Sequence, residues 1–169
     1  MSISIHVLNS SGRLNAVQND AKRIIRHTSQ KVQKLLAIDN VDILVMEALY
    51  PEPLKNMGGI GGYSPSAHFV QITIDPDHKD VKKNLHTVLS QTIAHELCHV
   101  KRWEAGVMGK TLADNIVSEG LADYVVFTLT GNTSSVQKNA IFHVGQDTRL
   151  DFFLFNTTCR SIQILRLAN

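Results

Sequence analysis

Hydrophobic and polar residues alternate in residues 3–7 (ISIHV), close to the start of the chain. This two-residue period predicts a short β-strand. Apolar residues then recur every three to four positions, which predicts an amphipathic helix that begins after Ser10 or Ser11, as its N-cap, and reaches about Ile38. The apolar run Val41–Ala48 predicts a second strand. A strand, a helix and a strand in this order indicate one βαβ unit.

The next part of the chain is interrupted by proline and rich in glycine. Pro51 and Pro53 precede the segment Asn56–Ser66, in which four residues are glycine. Such a segment is either a flexible turn or a place where another backbone or a substrate approaches closely, because glycine carries no side chain. A phosphate-binding loop is excluded, since no Lys-Ser or Lys-Thr pair follows. Phe69–Asp75 then alternates like a third strand, and Pro76 ends it.

Helices are predicted over much of the remaining chain. The pattern is helical over Val81–Glu104, and glycines within residues 106–109 indicate a turn. Thr111 is placed to cap a further helix that reaches about Thr130. Another helix is predicted over Ser135–Val144. Few strands among several helices favour an α+β domain, with a small twisted mixed sheet of three or more strands packed on the helices.

The first of these later helices contains the pattern HExxH, formed by His95, Glu96 and His99. Residues four apart on a helix lie on one face, so both imidazoles can reach one metal ion at about 2.0–2.1 Å. Glu96 is rotated roughly 100° from His95. It can lie beside the metal without binding it, where a general base for a metal-activated water is needed.

A carboxylate suitable as a third metal ligand lies in the next predicted helix. Glu119 follows His99 by twenty residues. A catalytic zinc ion needs three protein ligands and one open position, and two antiparallel helices joined by the turn would bring Glu119 back to the histidines. Asp123 lies one helical turn beyond Glu119. It could accept the outer N–H of His95 or His99, which would orient that imidazole.

Composition limits the class of protein without identifying a substrate. The chain has 169 residues, 43% hydrophobic and 19% charged, with a net charge of +2 and eight histidines. This charge is too small to indicate nucleic acid or an anionic membrane as a partner. Two cysteines, Cys98 and Cys159, make no disulfide framework. The sequence has no secretory signal pattern and no apolar run of the roughly 20 residues that cross a bilayer, so we expect a cytoplasmic protein.

The chain resembles a known group of metallopeptidases. HELCH followed twenty residues later by EGLAD is similar to the gluzincins, HExxH peptidases whose third zinc ligand is a glutamate on a following helix. The resemblance is closest to the bacterial YjaZ-like family of predicted zinc-dependent proteases, through the stretches GIGGYSPS, ITIDP and KTLADNIVSEGLADY. It covers about Gly58–Val126. It implies a zincin-like fold, a zinc cofactor and a peptide or protein substrate.

The end of the chain departs from that family pattern. The resemblance implies an aromatic and glycine-rich segment after the Glu119 helix, but residues 151–169 (DFFLFNTTCRSIQILRLAN) contain no glycine. The reaction also needs a donor to the tetrahedral oxyanion besides the metal. Tyr63 and His143 are favoured because Tyr63 lies in the glycine-rich segment and His143 beyond the Glu119 helix. The full set of candidates is Tyr63, His68, Tyr124 and His143.

These features predict a single zincin-like metallopeptidase domain over residues 1–169, with zinc as cofactor. A peptide would lie along the segment 58–75, where Gly61 and Gly62 allow close approach of its backbone and an exposed edge beside Phe69–Asp75 could pair with it. Two alternatives remain open: a regulatory module that binds zinc without turnover, and a zinc hydrolase of a small amide. The first would be indifferent to Glu96, and the second would need a closed pocket.

Overall fold

The structure is a computed structural model that describes residues 2–109 and 111–131. The predicted helix Ser135–Val144, His143 within it and the segment 151–169 lie outside the described residues. The described residues form four strands and three α-helices: β1 (Ile3–Leu8), α1 (Gln18–Leu36), β2 (Val41–Glu47), β3 (Ile60–Ser66), β4 (Phe69–Ile74), α2 (Val81–Glu104) and α3 (Leu112–Thr130). A 3-10 turn, Glu52–Leu54, precedes β3.

The sheet has the strand order β1-β2-β4-β3. β1, β2 and β4 are parallel, whereas β3 runs antiparallel to β4. The predicted βαβ unit is therefore present as β1, α1 and β2. β4 is hydrogen-bonded to β2 on one side and to β3 on the other, so Phe69–Asp75 is not itself an edge, and the predicted edge lies on the strand next to it. The strand at that edge of the sheet is β3.

The strand β3 comes from the glycine-rich segment, which the sequence indicated as a turn or a close approach. The turn and the close approach are both present, each at a different pair of glycines. Gly58 and Gly59 have φ values of 72° and 80°, a left-handed backbone suited to glycine, and they turn the chain into β3. Gly61 and Gly62 lie within the strand and pair with Thr73 and Ile72 of β4.

Helix α1 begins at Gln18, so the prediction that Ser10 or Ser11 caps it was wrong. The Ser11 hydroxyl instead donates to Glu47 on β2, with Oγ 3.3 Å from Oε2. Residues 10–17 form turns, and Val17 precedes the helix without a side-chain cap. Leu14 and Val17 are buried in this stretch, which explains why its apolar spacing looked like an extra turn of helix.

Helices α1 and α2 cover one face of the sheet, and α2 lies at the centre of the domain. In β2, Val41, Ile43 and Val45 are buried beneath the helices, while the residues between them are exposed or half-buried. α2 packs against α1, β3 and α3. The α+β class and the small mixed sheet packed on helices are confirmed. Within the described ranges, no helix combines the length and apolar character that crossing a membrane requires.

The entry into α3 is fixed by a capping box, which confirms Thr111 as the N-cap. The Thr111 hydroxyl accepts from the Asp114 amide at 3.2 Å, and the Asp114 carboxylate accepts from the Thr111 amide at 3.0 Å. Two amides of the first turn are thereby satisfied. The buried residues of α3, which face the core, are Ser118, Ala122, Val125 and Val126. Glu119 follows directly after Ser118.

Candidate metal centre and catalytic cleft

Three side chains from two helices converge at one point. Because His95 and His99 lie one turn apart on α2, their Nε2 atoms approach each other to 3.0 Å. From α3, Glu119 Oε2 lies 3.1 Å from Nε2 of His95, and Oε1 lies 3.4 Å from Nε2 of His99. The three residues offer ligand atoms that all lie within 4.8 Å of one another and could hold a metal ion.

The chemistry and spacing of these donors fit zinc. Two imidazole nitrogens and one carboxylate form a donor set typical of a catalytic zinc site, which keeps a fourth position open. Ligands about 2.0–2.1 Å from a tetrahedral ion lie roughly 3.3 Å apart, so the observed separations of 3.0–3.4 Å need only small adjustments.

The outer nitrogen of His95 faces a carboxylate. Nδ1 of His95 lies 3.3 Å from Oδ1 of Asp123, one turn beyond Glu119 on α3. Burial lowers the pKa of His95, but the neighbouring carboxylates of Asp123, Glu119 and Glu96 more than offset burial and raise this pKa to about 9. Of the two partners foreseen for Asp123, the structure selects His95.

The outer nitrogen of His99 faces Ser118, a residue that the sequence did not single out. The Ser118 hydroxyl lies 3.2 Å from Nδ1 of His99 and is 3% exposed. Ser118 precedes Asp123 on α3, but its neighbour His99 follows His95, the neighbour of Asp123, on α2. The two helices are therefore antiparallel, as expected. Both Nδ1 atoms face polar groups outwards, so a proton on each of them would leave the lone pair of Nε2 directed inwards, the tautomer that a metal requires.

The carboxylate of Glu119 is ionised in this arrangement. Hydrogen bonds from His95 and His99 hold the pKa of Glu119 well below its ordinary value, although partial burial acts in the opposite direction. The raised pKa of His95 favours a proton on its imidazole, next to the negative charge of Glu119. A divalent cation at the same point can replace that proton.

Glu96 lies against β3, beside this centre. Its Oε2 accepts a hydrogen bond from the Ser64 hydroxyl at 2.8 Å, and the glutamate is 7% exposed. A Cβ atom at Gly62 would lie 2.6 Å from Cγ and 2.7 Å from Oε1 of Glu96, closer than real contacts allow. Gly62 therefore provides the space that the Glu96 side chain occupies. Ser64 was not singled out by the sequence.

A cleft of about 360 Å³ joins these groups. Among the candidates for substrate contact, Gly62 and Tyr63 line the cleft, and Tyr63 is 63% exposed. Gly61 faces the other way, since its Cβ would meet Leu54 and Thr73. The lining residues are Met57, Gly62, Tyr63, Ser64, Gln91, Thr92, His95, Glu96, His99, Met108 and Glu119.

The other two candidate donors in the described residues do not line the cleft. Nδ1 of His68 lies 3.1 Å from the Asn40 carbonyl, in the loop before β2. Tyr124 is half-exposed on α3. Tyr63 is therefore the one candidate donor that the described structure brings to the cleft.

These features define an α+β protein with a two-histidine, one-glutamate set that fits zinc. Residues 21–140 match the family described as "Predicted Zn-dependent protease (DUF2268)", and the chain belongs to this family. The family description and the donor set both indicate zinc as the cofactor. Comparison with curated proteins and comparison with solved structures each gave no match.

Proposed function

We propose that the protein is a zinc-dependent peptidase with a zincin-like fold, of the gluzincin type and similar to the YjaZ-like proteases. His95, His99 and Glu119 bind the zinc ion, and Glu96 is the general base. The observation that carries this proposal is the convergence of three ligand atoms within 4.8 Å at a cleft that Glu96 also lines. The zinc-dependent protease family to which the chain belongs supports it.

In this proposal the residues of the chain hold the substrate and move one proton. When bound, zinc supplies a Lewis acid that polarises the scissile carbonyl and makes water more acidic. Glu96 accepts a proton from the attacking water and then donates it to the nitrogen of the leaving amine. Asp123 and Ser118 hold the two imidazoles in the orientation that zinc binding needs.

An extended peptide is the substrate that best suits the cleft. β3 pairs with β4 alone in the described sheet, so its other edge can form main-chain hydrogen bonds with a substrate strand. β3 also lines the cleft through Gly62, Tyr63 and Ser64. The exposed Tyr63 and the 60% exposed side chain of Glu119 favour a polypeptide over a small amide, which would need an enclosed pocket.

The test combines metal analysis with peptide turnover. Purified protein should contain one zinc per chain and cleave members of a peptide library. Glu96→Gln should retain zinc but lose at least about 100-fold in kcat, since general-base catalysis contributes roughly 10²–10⁴-fold. Glu104→Gln is a matched control, because Glu104 lies at the end of the same helix and pairs with Lys101. Zinc binding with no turnover would favour the non-catalytic module, whereas equal turnover by Glu96→Gln and wild type would contradict the role of Glu96 as general base.

A further inference from the structure

We infer that Ser64 is a positioning residue for Glu96: its hydroxyl holds Oε2 and leaves Oε1 beside the cleft to receive a proton. The inference rests on the proposed function, in which Glu96 is the general base. It assigns to the edge strand β3 a part in proton transfer, in addition to its proposed part in substrate binding.

The Ser64 hydroxyl is the donor in this contact, because an ionised carboxylate can only accept, and its single proton is shared between two acceptors on Glu96. The Ser64 hydroxyl lies 2.8 Å from Oε2 of Glu96 and 2.9 Å from the main-chain carbonyl oxygen of the same residue. Ser64 is 6% exposed, so the contact is shielded from water. A donor is needed here, since a buried carboxylate without a hydrogen-bond partner is unstable in its charged form.

Ser64 is itself anchored to α2 at a second point. The indole Nε1 of Trp103 donates to the Ser64 carbonyl oxygen at 2.8 Å. Residue 64 therefore contacts α2 at Glu96 and at Trp103, about two helical turns apart. This part of β3 needs such contacts, because its pairing with β4 is irregular between Tyr63 and Ser66. The two bonds fix Ser64 against the helix that carries the general base.

The two oxygens of the Glu96 carboxylate have different surroundings as a result. Oε2 is engaged by Ser64, whereas Oε1 lies beside Gly62, where the missing side chain leaves space at the wall of the cleft. Removing the hydroxyl frees the carboxylate to rotate away from the geometry needed for proton transfer. Among the described contacts, Ser64 has none to His95, His99 or Glu119, so zinc binding should not depend on its hydroxyl.

The experiment is a double-mutant cycle on the zinc-loaded protein. Wild type, Ser64→Ala, Glu96→Gln and the double variant are compared for kcat, KM and zinc content. Ser64→Ala should lower kcat by roughly 10- to 100-fold, since a displacement of about 1 Å has effects of that size. KM and zinc content should stay close to wild type. In the Glu96→Gln background, Ser64→Ala should have almost no further effect on kcat.

Two controls separate positioning from general stability. Ser66→Ala removes a hydroxyl from the same strand that contacts the His68 amide rather than Glu96, and it should keep wild-type kcat. Ser64→Thr retains the hydroxyl and should restore most of the kcat lost in Ser64→Ala. The same four proteins without metal provide a second cycle, in which the losses in unfolding midpoint from Ser64→Ala and Glu96→Gln should not add.

The outcomes distinguish this inference from the proposed function. If wild type cleaves peptides, Glu96→Gln abolishes turnover and Ser64→Ala leaves it unchanged, the inference about Ser64 is wrong but the proposed function stands. Additive losses of kcat in the double variant would also overturn it, because Ser64 would then act independently of Glu96. A zinc-loaded wild type without turnover would overturn both, since there would be no general base to position.

Discussion

Gly62→Ala is the substitution that most directly tests the arrangement of the cleft. The added Cβ would lie 2.6 Å from Cγ of Glu96, 2.7 Å from its Oε1 and 2.7 Å from Cγ2 of Thr92. Both neighbours belong to α2, which is held in the core, so the flexible Glu96 side chain is the group that must move. We expect the variant to bind zinc normally and to lose turnover, because the proposed general base is displaced.

The cost in stability can be estimated and matched by a control. Extra atoms in a well-packed region cost about 1–3 kcal/mol. Gly61→Ala introduces a similar strain on the opposite face of β3, where its Cβ would lie 2.7 Å from Cδ2 of Leu54 and 3.2 Å from Oγ1 of Thr73. Neither glycine has a left-handed backbone, so the two variants differ mainly in which side chain they displace.

The assay measures kcat, zinc content and the thermal midpoint for both variants. Each kcal/mol should lower Tm by roughly 2–4 °C in a chain of this size. Gly62→Ala should lose at least about tenfold in kcat by displacing Glu96, whereas Gly61→Ala should keep wild-type kcat despite a comparable fall in Tm. Equal effects of the two variants on kcat would refute the reasoning, because the loss would then follow stability rather than the position of Glu96.

Three further predictions concern the metal centre. Asp123→Ala should weaken zinc affinity by about 10–100-fold in competition with a chelator while the chain remains folded; unchanged affinity would mean that Asp123 does not orient His95. Ser118→Ala should also weaken zinc affinity, because it removes the hydroxyl that faces Nδ1 of His99. Ser118→Thr keeps a hydroxyl and should lose less zinc affinity than Ser118→Ala. Zinc affinity should rise as the pH is raised towards about 9 and level off above it, because zinc must displace the proton that His95 holds with a raised pKa. Calorimetry of zinc binding in buffers of different ionisation enthalpy would detect the release of that proton. If no proton were released on zinc binding at pH 7, the prediction would be wrong.

Local sequence signals predicted the helices around the site accurately. The bounds Val81–Glu104 for α2 and the N-cap Thr111 for α3 agree with the structure, because caps, glycines and helical periodicity act within a few residues. The spacing of His95, His99 and Glu119 predicted their convergence for the same reason, once the helices were taken as antiparallel. The family match supports a zinc-dependent protease but leaves the general base and the substrate as proposals.

Contacts between distant segments could not be predicted from the same signals. Glycine disfavours strands, so a strand over Ile60–Ser66 becomes understandable only when β4 and α2 are seen to pack against it. Ser64 is separated from Glu96 by 32 residues, and no local pattern links the two. Ser118 offered a weak signal, since it is a polar residue on the buried face of α3, where a polar side chain needs a partner.

Helix α2 carries both functions of the proposed site, but different neighbours support each of them. On one side α3 supplies Glu119 as a ligand, together with Ser118 and Asp123 behind the two histidines. On the other side β3 supplies Ser64 and the space at Gly62 for Glu96. Metal affinity should therefore respond to changes on α3, and proton transfer to changes on β3. Because the two interfaces use different residues of α2, a variant on β3 should remove turnover while zinc stays bound, whereas a variant on α3 should lower turnover only through the loss of zinc.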